Sequence, residues 1–145
     1  MKRYALIAVL AMFLLCGCVK KESDWFNRFD PDVVYMELEG GEFVLTGHSE
    51  IVYSGIYTID EEGKRHKVYY DDYLVHDTSS YPYWVKTSVC RIEHISARKM
   101  NVTILPTEQR RKIFIYLGGI DDKGITHRTS GNGINIYQGY PEPAK

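Results

Sequence analysis

From Val33 onward the chain is divided into short runs of β-branched and aromatic residues, each ended by a turn signal. The runs recur at intervals of roughly ten residues, and no amphipathic helical period lasts more than about two turns. A strand needs only a short alternating or apolar run, whereas a helix needs a longer one with a 3.6-residue period. The pattern therefore predicts an all-β domain, and its regular spacing is typical of a β-sandwich.

Turn residues predict which strands are neighbours. A first hairpin is expected to join Val33 to Leu38 with Glu42 to Thr46, because Gly40 and Gly41 between them supply the positive φ of a tight turn. A second is expected to join the run from Ile51 to Asp60 with the run from Arg65 to Tyr70, through Glu61-Glu62-Gly63-Lys64.

The second half of the chain predicts a three-strand meander. Its strands are Val89 to Ser96, Met100 to Leu105 and Lys112 to Gly118, with turns at Ala97-Arg98-Lys99 and Pro106-Thr107-Glu108-Gln109. The sequence predicts further strands at Trp84 to Thr87 and Ile134 to Gln138, and an exposed excursion from Ile120 to Gly133.

The N-terminus has the parts of a secretory signal. Lys2 and Arg3 precede a run without charge from Ala5 to Leu15, which is the order of a basic region and an apolar region in a signal peptide. A spanning helix needs about 20 apolar residues, so this run is too short to be one.

The tetrad Leu15-Cys16-Gly17-Cys18 resembles a lipobox, the processing signal of bacterial lipoproteins. The resemblance implies cleavage after Gly17 and lipid on Cys18, and stable anchoring takes at least two acyl chains. The expected location is the outer membrane of a Gram-negative bacterium, facing either outward or into the periplasm. The charged start from Val19 to Asp24 loosely resembles the surface-export signal of such lipoproteins. The alternative is an ordinary secretory signal.

These boundaries divide the chain into a signal peptide (1–17), a lipidated N-terminus and tether (18–32), a β-sandwich domain (33–140) and a C-terminal tail (141–145). Trp25, Phe26 and Phe29 in the tether are either the start of the fold or anchors near the membrane surface. The mature chain would have 128 residues with 16 basic and 19 acidic side chains, a formal charge of −3. A nucleic-acid partner is not expected, because it would need a strongly basic face.

Cys90 would be the lone cysteine of the mature protein besides the lipidated Cys18, so an intramolecular disulfide is not expected. It lies in an alternating run, which predicts a small buried side chain in a strand. The alternative is a reactive or intermolecular thiol. His94 lies nearby in sequence, but residues four apart on one strand do not by themselves form a catalytic dyad.

The order of segments resembles the BACON-type domain, an immunoglobulin-like β-sandwich common in lipoproteins of Bacteroidales. The resemblance is carried by Glu37 to Thr46, Tyr83-Trp84-Val85, Met100 to Pro106, Arg110 to Tyr116, and Ile134 to Gln138. It implies an immunoglobulin-like antiparallel sandwich, with carbohydrate or mucin binding or a spacer role, and implies no catalytic residues. Pro106-Thr107-Glu108 stands where the family has an Asn-containing turn, and the region from Ile51 to Tyr83 is longer than in a minimal domain.

The most suggestive functional feature is the segment Tyr69-Tyr70-Asp71-Asp72-Tyr73, with Tyr81, Tyr83 and Trp84 after it, where a loop is predicted from Asp71 to Tyr83. Aromatic rings beside carboxylates suit sugars, because sugar C–H groups stack on a ring while hydroxyls bond to the carboxylate. The predicted ligand-binding residues in and beside this loop are Tyr70, Asp72, Tyr73, Tyr81 and Tyr83. The alternative is a structural role, since Tyr and Trp are favoured in strands and sandwich cores. A core position is the expectation for Trp84.

Other site chemistry finds little support in the sequence. Asp71 and Asp72 could serve as glycosidase carboxylates only in an irregular loop, because neighbours on a strand point to opposite faces. The five histidines have no metal-ligand spacing, so each is predicted to be a surface or hydrogen-bonded residue: His48, His66, His76, His94 and His127. We expect no enzyme activity, cofactor or metal. The sequence predicts an envelope-anchored binding module for a glycan, with a structural or protein-interaction subunit of an envelope complex as the alternative.

Overall fold

The computed structural model describes residues 25–74, 81–127 and 132–145, and gives the backbone alone for residues 70–74. Two sheets pack face to face, which confirms the predicted β-sandwich. A 3-10 turn at Trp25–Asn27 is the helical element of these ranges. No helix in them is long and apolar enough to cross a membrane.

The first sheet, sheet A, has six antiparallel strands in the order β1-β3-β9-β8-β7-β6. Strands are numbered in chain order. Their bounds are Phe29–Asp30 (β1), Gly41–Gly47 (β3), Lys99–Ile104 (β9), Cys90–Ser96 (β8), Tyr83–Thr87 (β7) and Tyr70–Leu74 (β6).

The second sheet, sheet B, has the order β2-β12-β10-β4-β5, with β11 on the side of β10. The bounds are Val33–Met36 (β2), Gly133–Gln138 (β12), Arg111–Ile120 (β10), Ile51–Ile59 (β4), Arg65–Val68 (β5) and Thr126–His127 (β11). The pairing of β2 with β12 is parallel and the others are antiparallel. One sheet built on β3, β9 and β8 and another on β4, β10 and β12 correspond to the two sheets of the immunoglobulin fold.

The core forms where the alternating positions of both sheets face each other. Ile113, Ile115 and Leu117 of β10 are buried against Cys90 and Ile92 of β8 in one continuous apolar cluster. Burying an aliphatic side chain of this size contributes about 1.5–3 kcal/mol. Because successive residues of a strand point to opposite faces, the same alternation leaves the intervening side chains on the outer faces.

Two predicted strand pairings are wrong. Strands β2 and β3 do not form a hairpin, because β2 pairs with β12 in sheet B and β3 pairs with β1 and β9 in sheet A. The meander is correct for β8 and β9, but β10 belongs to the other sheet. A short connection that crosses between sheets packed about 10 Å apart contains the same glycine and proline residues as a hairpin turn. These residues therefore do not show whether the two strands share a sheet.

The hairpin of β4 and β5 is confirmed. At its turn, one carboxylate oxygen of Asp60 accepts hydrogen bonds from the backbone N–H groups of Glu62 (3.0 Å) and Lys64 (2.8 Å). The other carboxylate oxygen contacts His66 Nε2 at 2.9 Å, and Gly63 takes the positive φ of 82°.

The connection from β10 to β11 repeats this arrangement. Asp121 accepts hydrogen bonds from the backbone of Lys123 and Ile125 (both 2.9 Å) and contacts His127 Nε2 at 2.7 Å. Gly124 takes the positive φ of 77°. In both turns the side-chain hydrogen bond to the histidine holds the pKa of the aspartate below its ordinary value, with the backbone donors adding to the effect.

Residues that precede Val33 pack into the fold. Phe29 is buried in the core, and Ser49 Oγ donates to the carbonyl of Phe26 at 3.0 Å. Gly119 N–H donates to Asn27 Oδ1 at 3.2 Å. A Cβ at Gly119 would overlap the Phe26 carbonyl oxygen, so glycine is required for this approach. Of the two interpretations left open for the aromatics before Val33, the start of the fold is correct for Phe29.

The side chain of Gln138 connects the two sheets at one end through hydrogen bonds. This buried side chain donates from Nε2 to the carbonyls of Leu38 and Leu105, both at 3.0 Å. Its Oε1 accepts from Arg111 Nε at 2.9 Å, and Arg111 also donates to Leu105 at 3.1 Å. Gln138 therefore fixes both the connection from β2 to β3 and the connection from β9 to β10, which were predicted as hairpin turns.

Cys90 is buried in β8, as predicted. Burial raises the pKa of its thiol to about 11, although a hydrogen bond from Thr87 opposes the effect. A thiol with this pKa is protonated at neutral pH and is a weak nucleophile.

His94 departs from the prediction of a surface or hydrogen-bonded histidine. It is fully buried, and neither ring nitrogen has a hydrogen-bond partner among the described residues. Its ring stacks on Tyr83 with centroids 4.1 Å apart and an angle of 15° between the planes. The alternation of β8 places this residue inward together with Cys90 and Ile92.

Candidate binding site

The outer face of sheet B carries a cluster of aromatic and basic side chains. Ile113, Ile115 and Leu117 of β10 point into the core, so Phe114 and Tyr116 between them lie on the outer face. Tyr57 of β4 pairs with Phe114, and its ring centroid lies 5.3 Å from that of Phe114 and 5.2 Å from that of Tyr116. The three rings are in mutual contact, and Phe114 itself is buried in this cluster.

Arg65 of β5 lies on this surface. Its guanidinium carbon is 3.7 Å from the centroid of the Tyr57 ring, which is a close cation–π contact. One of its N–H groups donates to the Tyr116 hydroxyl at 2.7 Å. The arginine is therefore held against both tyrosines, and its other N–H groups can serve as donors to a ligand.

Lys67 and Tyr69 complete the site at the edge of the sheet. The Lys67 ammonium lies 5.6 Å from the centroid of the Tyr69 ring, and Tyr69 is 72% exposed. Together with Arg65, Tyr57 and Tyr116 they line a cleft of about 730 Å³. A cleft of this size accommodates a small molecule or part of a polymer. We call it the β5 cleft.

Among the described side chains, no carboxylate neutralises the positive charge of the β5 cleft. In the described ranges the ion pairs are those of His66 with Asp60 and of His127 with Asp121, so no described carboxylate lies within 4 Å of the Arg65 or Lys67 nitrogens. Burial and the Tyr116 hydroxyl raise the pKa of Tyr57, while Arg65 opposes this rise. The Tyr57 hydroxyl therefore stays protonated at neutral pH.

The predicted ligand-binding residues lie on the other sheet. Tyr70, Asp72 and Tyr73 belong to strand β6 and not to a loop, because the chain passes from sheet B to sheet A after Tyr69. In the register of β6 with β7, Tyr73 pairs with Val85, and the pairing shifts between Tyr70 and Asp72. Their side chains lie outside the described part, as do residues 75–80 of the predicted loop.

Tyr81 and Tyr83 come together at the start of β7. Their ring centroids are 5.7 Å apart, and both residues are half-buried. Burial raises the pKa of the Tyr81 hydroxyl, and the nearby Glu50 carboxylate adds to the effect. One face of Tyr83 is covered by His94, so these tyrosines are partly used by the fold.

Trp84 is not a core residue, contrary to the prediction. It is 39% exposed on the outer face of sheet A, because Val85 and Thr87 take the inward positions of β7.

The sequence contained one signal for the β5 cleft, which is the alternation of Phe114 and Tyr116 with isoleucines in a predicted strand. What it lacked was the neighbour relation of β10, β4 and β5, which brings Tyr116, Tyr57 and Arg65 together.

Within the described ranges no group of three His, Cys, Asp or Glu side chains is arranged to hold a metal ion. Comparisons of the chain with protein-family models, with curated proteins and with solved structures found no match. The resemblance to the BACON-type domain and that to the lipobox therefore stay predictions.

Proposed function

We propose that this protein is a carbohydrate-binding module of the cell envelope and that the β5 cleft is its binding site. The observation that carries the proposal is Arg65, held between Tyr57 and Tyr116 with no described carboxylate partner. Tyrosine rings offer flat apolar surfaces to sugar C–H groups at little cost in conformational entropy. The adjacent guanidinium N–H groups are donors for the ring hydroxyls or for an acidic substituent of a sugar.

A glycan array probed with the purified full-length protein tests this proposal. We expect Tyr57→Ala and Arg65→Gln each to reduce binding at least about ten-fold, because both remove contacts from the centre of the cleft. Trp84→Ala and Arg91→Gln are matched controls: both side chains are exposed on the outer face of sheet A, and their loss should leave binding unchanged. An array without signal, or equal loss in the controls, would contradict the proposal.

The sequence-predicted residues on sheet A provide a direct contrast. If Tyr81→Ala abolished glycan binding and Tyr57→Ala did not, the site would lie at the start of β7 and not in the β5 cleft. Both variants should first be compared with the wild type by circular dichroism, because Tyr81 is half-buried and its loss can affect folding.

We further propose that lipid on Cys18 anchors the domain to the outer membrane. The described fold begins at Trp25, and seven residues of extended chain reach at most about 25 Å. The domain would then stay close to the membrane surface. Metabolic labelling with a radioactive fatty acid should mark the wild type and not Cys18→Ser. Equal labelling of the two proteins, or none, would contradict the anchor.

A protein-interaction role in an envelope complex is the second candidate. Val44 (47% exposed) and Trp84 lie on the outer face of sheet A. They are connected across the strands by pairing, because Val44 pairs with Asn101, Asn101 with Glu93, and Glu93 with Trp84. Exposed apolar side chains of this kind are common in protein interfaces. Mild crosslinking in native cells should capture a reproducible partner through this face, and capture should be lost in Val44→Asp. Failure to recover any partner would exclude this role.

A further inference from the structure

The register of sheet B aligns basic and aromatic residues in lines that cross all five main strands. Tyr35 pairs with Tyr137, Tyr137 with Lys112, Lys112 with Ile59, and Ile59 with Arg65. Paired residues of adjacent strands lie on the same face. These five positions therefore form one line on the outer face, from β2 to the β5 cleft.

A second line runs beside the first. It consists of Val33, Asn135, Phe114, Tyr57 and Lys67. The ten positions of the two lines include four aromatic and three basic residues and no acidic residue. Neighbouring strands are about 4.8 Å apart, so each line is roughly 19 Å long. The β5 cleft occupies one end of this face.

The far end of the face repeats the chemistry of the cleft. Tyr35 and Tyr137 stack with centroids 4.9 Å apart and an angle of 12° between their planes. The Lys112 ammonium lies 5.5 Å from the centroid of the Tyr137 ring and is exposed. Like Arg65, Lys112 has no described carboxylate within 4 Å. A cation beside aromatic rings thus occurs at both ends of one face.

From this arrangement we infer that the ligand is an anionic polysaccharide, bearing carboxylate or sulfate groups, which lies across sheet B from Arg65 to Lys112. The inference rests on the proposed glycan-binding function and extends it by naming the ligand class and a second contact region. Sugar rings of a polymer would lie on Tyr57 and on the Tyr35–Tyr137 pair, and their acidic groups would bind the guanidinium and the ammonium. A nucleic acid fits less well, since three basic residues provide few phosphate contacts.

Affinity electrophoresis with acidic polymers tests the inference. The probes are polygalacturonate, alginate, hyaluronan and chondroitin sulfate, each paired with a form whose acidic groups are methyl-esterified or removed. We expect the full-length protein to bind at least one acidic polymer about ten-fold more tightly than its neutral counterpart. The affinity should fall as the salt concentration rises, since salt screens exposed charges.

Variants at the far end separate this inference from the proposed function. Lys112→Gln and Tyr137→Ala should each weaken binding of the long acidic polymer about five-fold or more and leave binding of its disaccharide in the β5 cleft unchanged. Arg65→Gln should weaken both, and Arg91→Gln on the opposite sheet should weaken neither.

The outcomes against the inference are distinct. Equal binding of acidic and neutral polymers, lost in Tyr57→Ala, would overturn it and leave the glycan-binding function intact. If Arg65→Gln weakened binding of the long acidic polymer and Lys112→Gln did not, the polymer would not extend across sheet B to Lys112. Binding of single-stranded DNA as tightly as any polysaccharide would show a general affinity for polyanions and overturn the ligand class. Binding to no glycan of either kind would overturn the inference and the proposed function together.

Discussion

His94 should make the stability of the domain fall as the pH is lowered from about 6.5 to about 4. The imidazole is fully buried, and within the part of the chain that the structure describes neither nitrogen has a hydrogen-bond partner. Burial therefore lowers its pKa from the ordinary 6.5 to about 4. In the unfolded chain the same ring regains solvent and titrates near its ordinary pKa.

The sign of the effect follows from proton binding. Between about pH 6.5 and pH 4 the unfolded state binds a proton at His94 and the folded state does not, so protons favour unfolding. The contribution is fully present above the unfolded pKa and is lost by the time the pH reaches the folded pKa. Each pH unit between the two values corresponds to about 1.36 kcal/mol, which gives a loss of about 3 kcal/mol across the range.

Urea denaturation followed by circular dichroism, at several pH values from about 7.5 to 4, measures this loss. His94→Leu should remove about 3 kcal/mol from the pH dependence of the free energy of unfolding. At neutral pH we expect this variant to be at least as stable as the wild type. Burial of polar atoms without partners costs about 1–3 kcal/mol, and leucine has none.

The exposed His48 provides the matched control, because His48→Leu leaves the buried imidazole in place. Its unfolding free energy should keep the wild-type loss between about pH 6.5 and pH 4. Parallel curves for the wild type and His94→Leu would refute the reasoning. They would mean that the folded protein solvates the imidazole or provides it with a partner.

Three further predictions concern stability and reactivity. Gln138→Leu should lower the free energy of unfolding by about 3 kcal/mol, because it removes three hydrogen bonds of a buried amide, with Leu38, Leu105 and Arg111; a loss below about 1 kcal/mol in urea titration would contradict this role. Gly119→Ala should cost about 2 kcal/mol and expose the segment at Phe26 to proteolysis, whereas an unchanged digestion pattern would show that the segment is not held there. Cys90 should remain unmodified by iodoacetamide in the folded protein at pH 7.5 and react after unfolding in urea; rapid modification of the folded protein would disprove the buried, protonated thiol.

Most strands could be predicted from the sequence, since alternation is a local property that fixes which residues share a face. Cys90 and Ile92 were assigned to one face of a strand, and both lie in the core. For His94 and Trp84 the predictions followed residue type and were wrong, since a surface or hydrogen-bonded position was expected for the first and a core position for the second. In both cases the register of the strand decides the outcome, because the direction of each side chain follows from its position in the alternation.

The candidate site was beyond sequence reasoning because it depends on which strands become neighbours. The residues from Tyr69 to Tyr83 attracted attention because their aromatic residues are close in the chain. Tyr57, Arg65 and Tyr116 are far apart in the chain, and no local pattern relates them. They meet because β4, β5 and β10 are adjacent in sheet B.

The sequence by itself determined an all-β chain, the positions of most strands and the hairpin of β4 and β5. Only the tertiary structure decided that β2 and β10 join sheet B, and that aromatic and basic residues from Tyr35 to Tyr137 form one outer face. The physical reason is that strand formation depends on neighbours two residues away. Strand pairing depends on contacts between segments that are distant in the chain, and these contacts stabilise the protein only once the two sheets pack together.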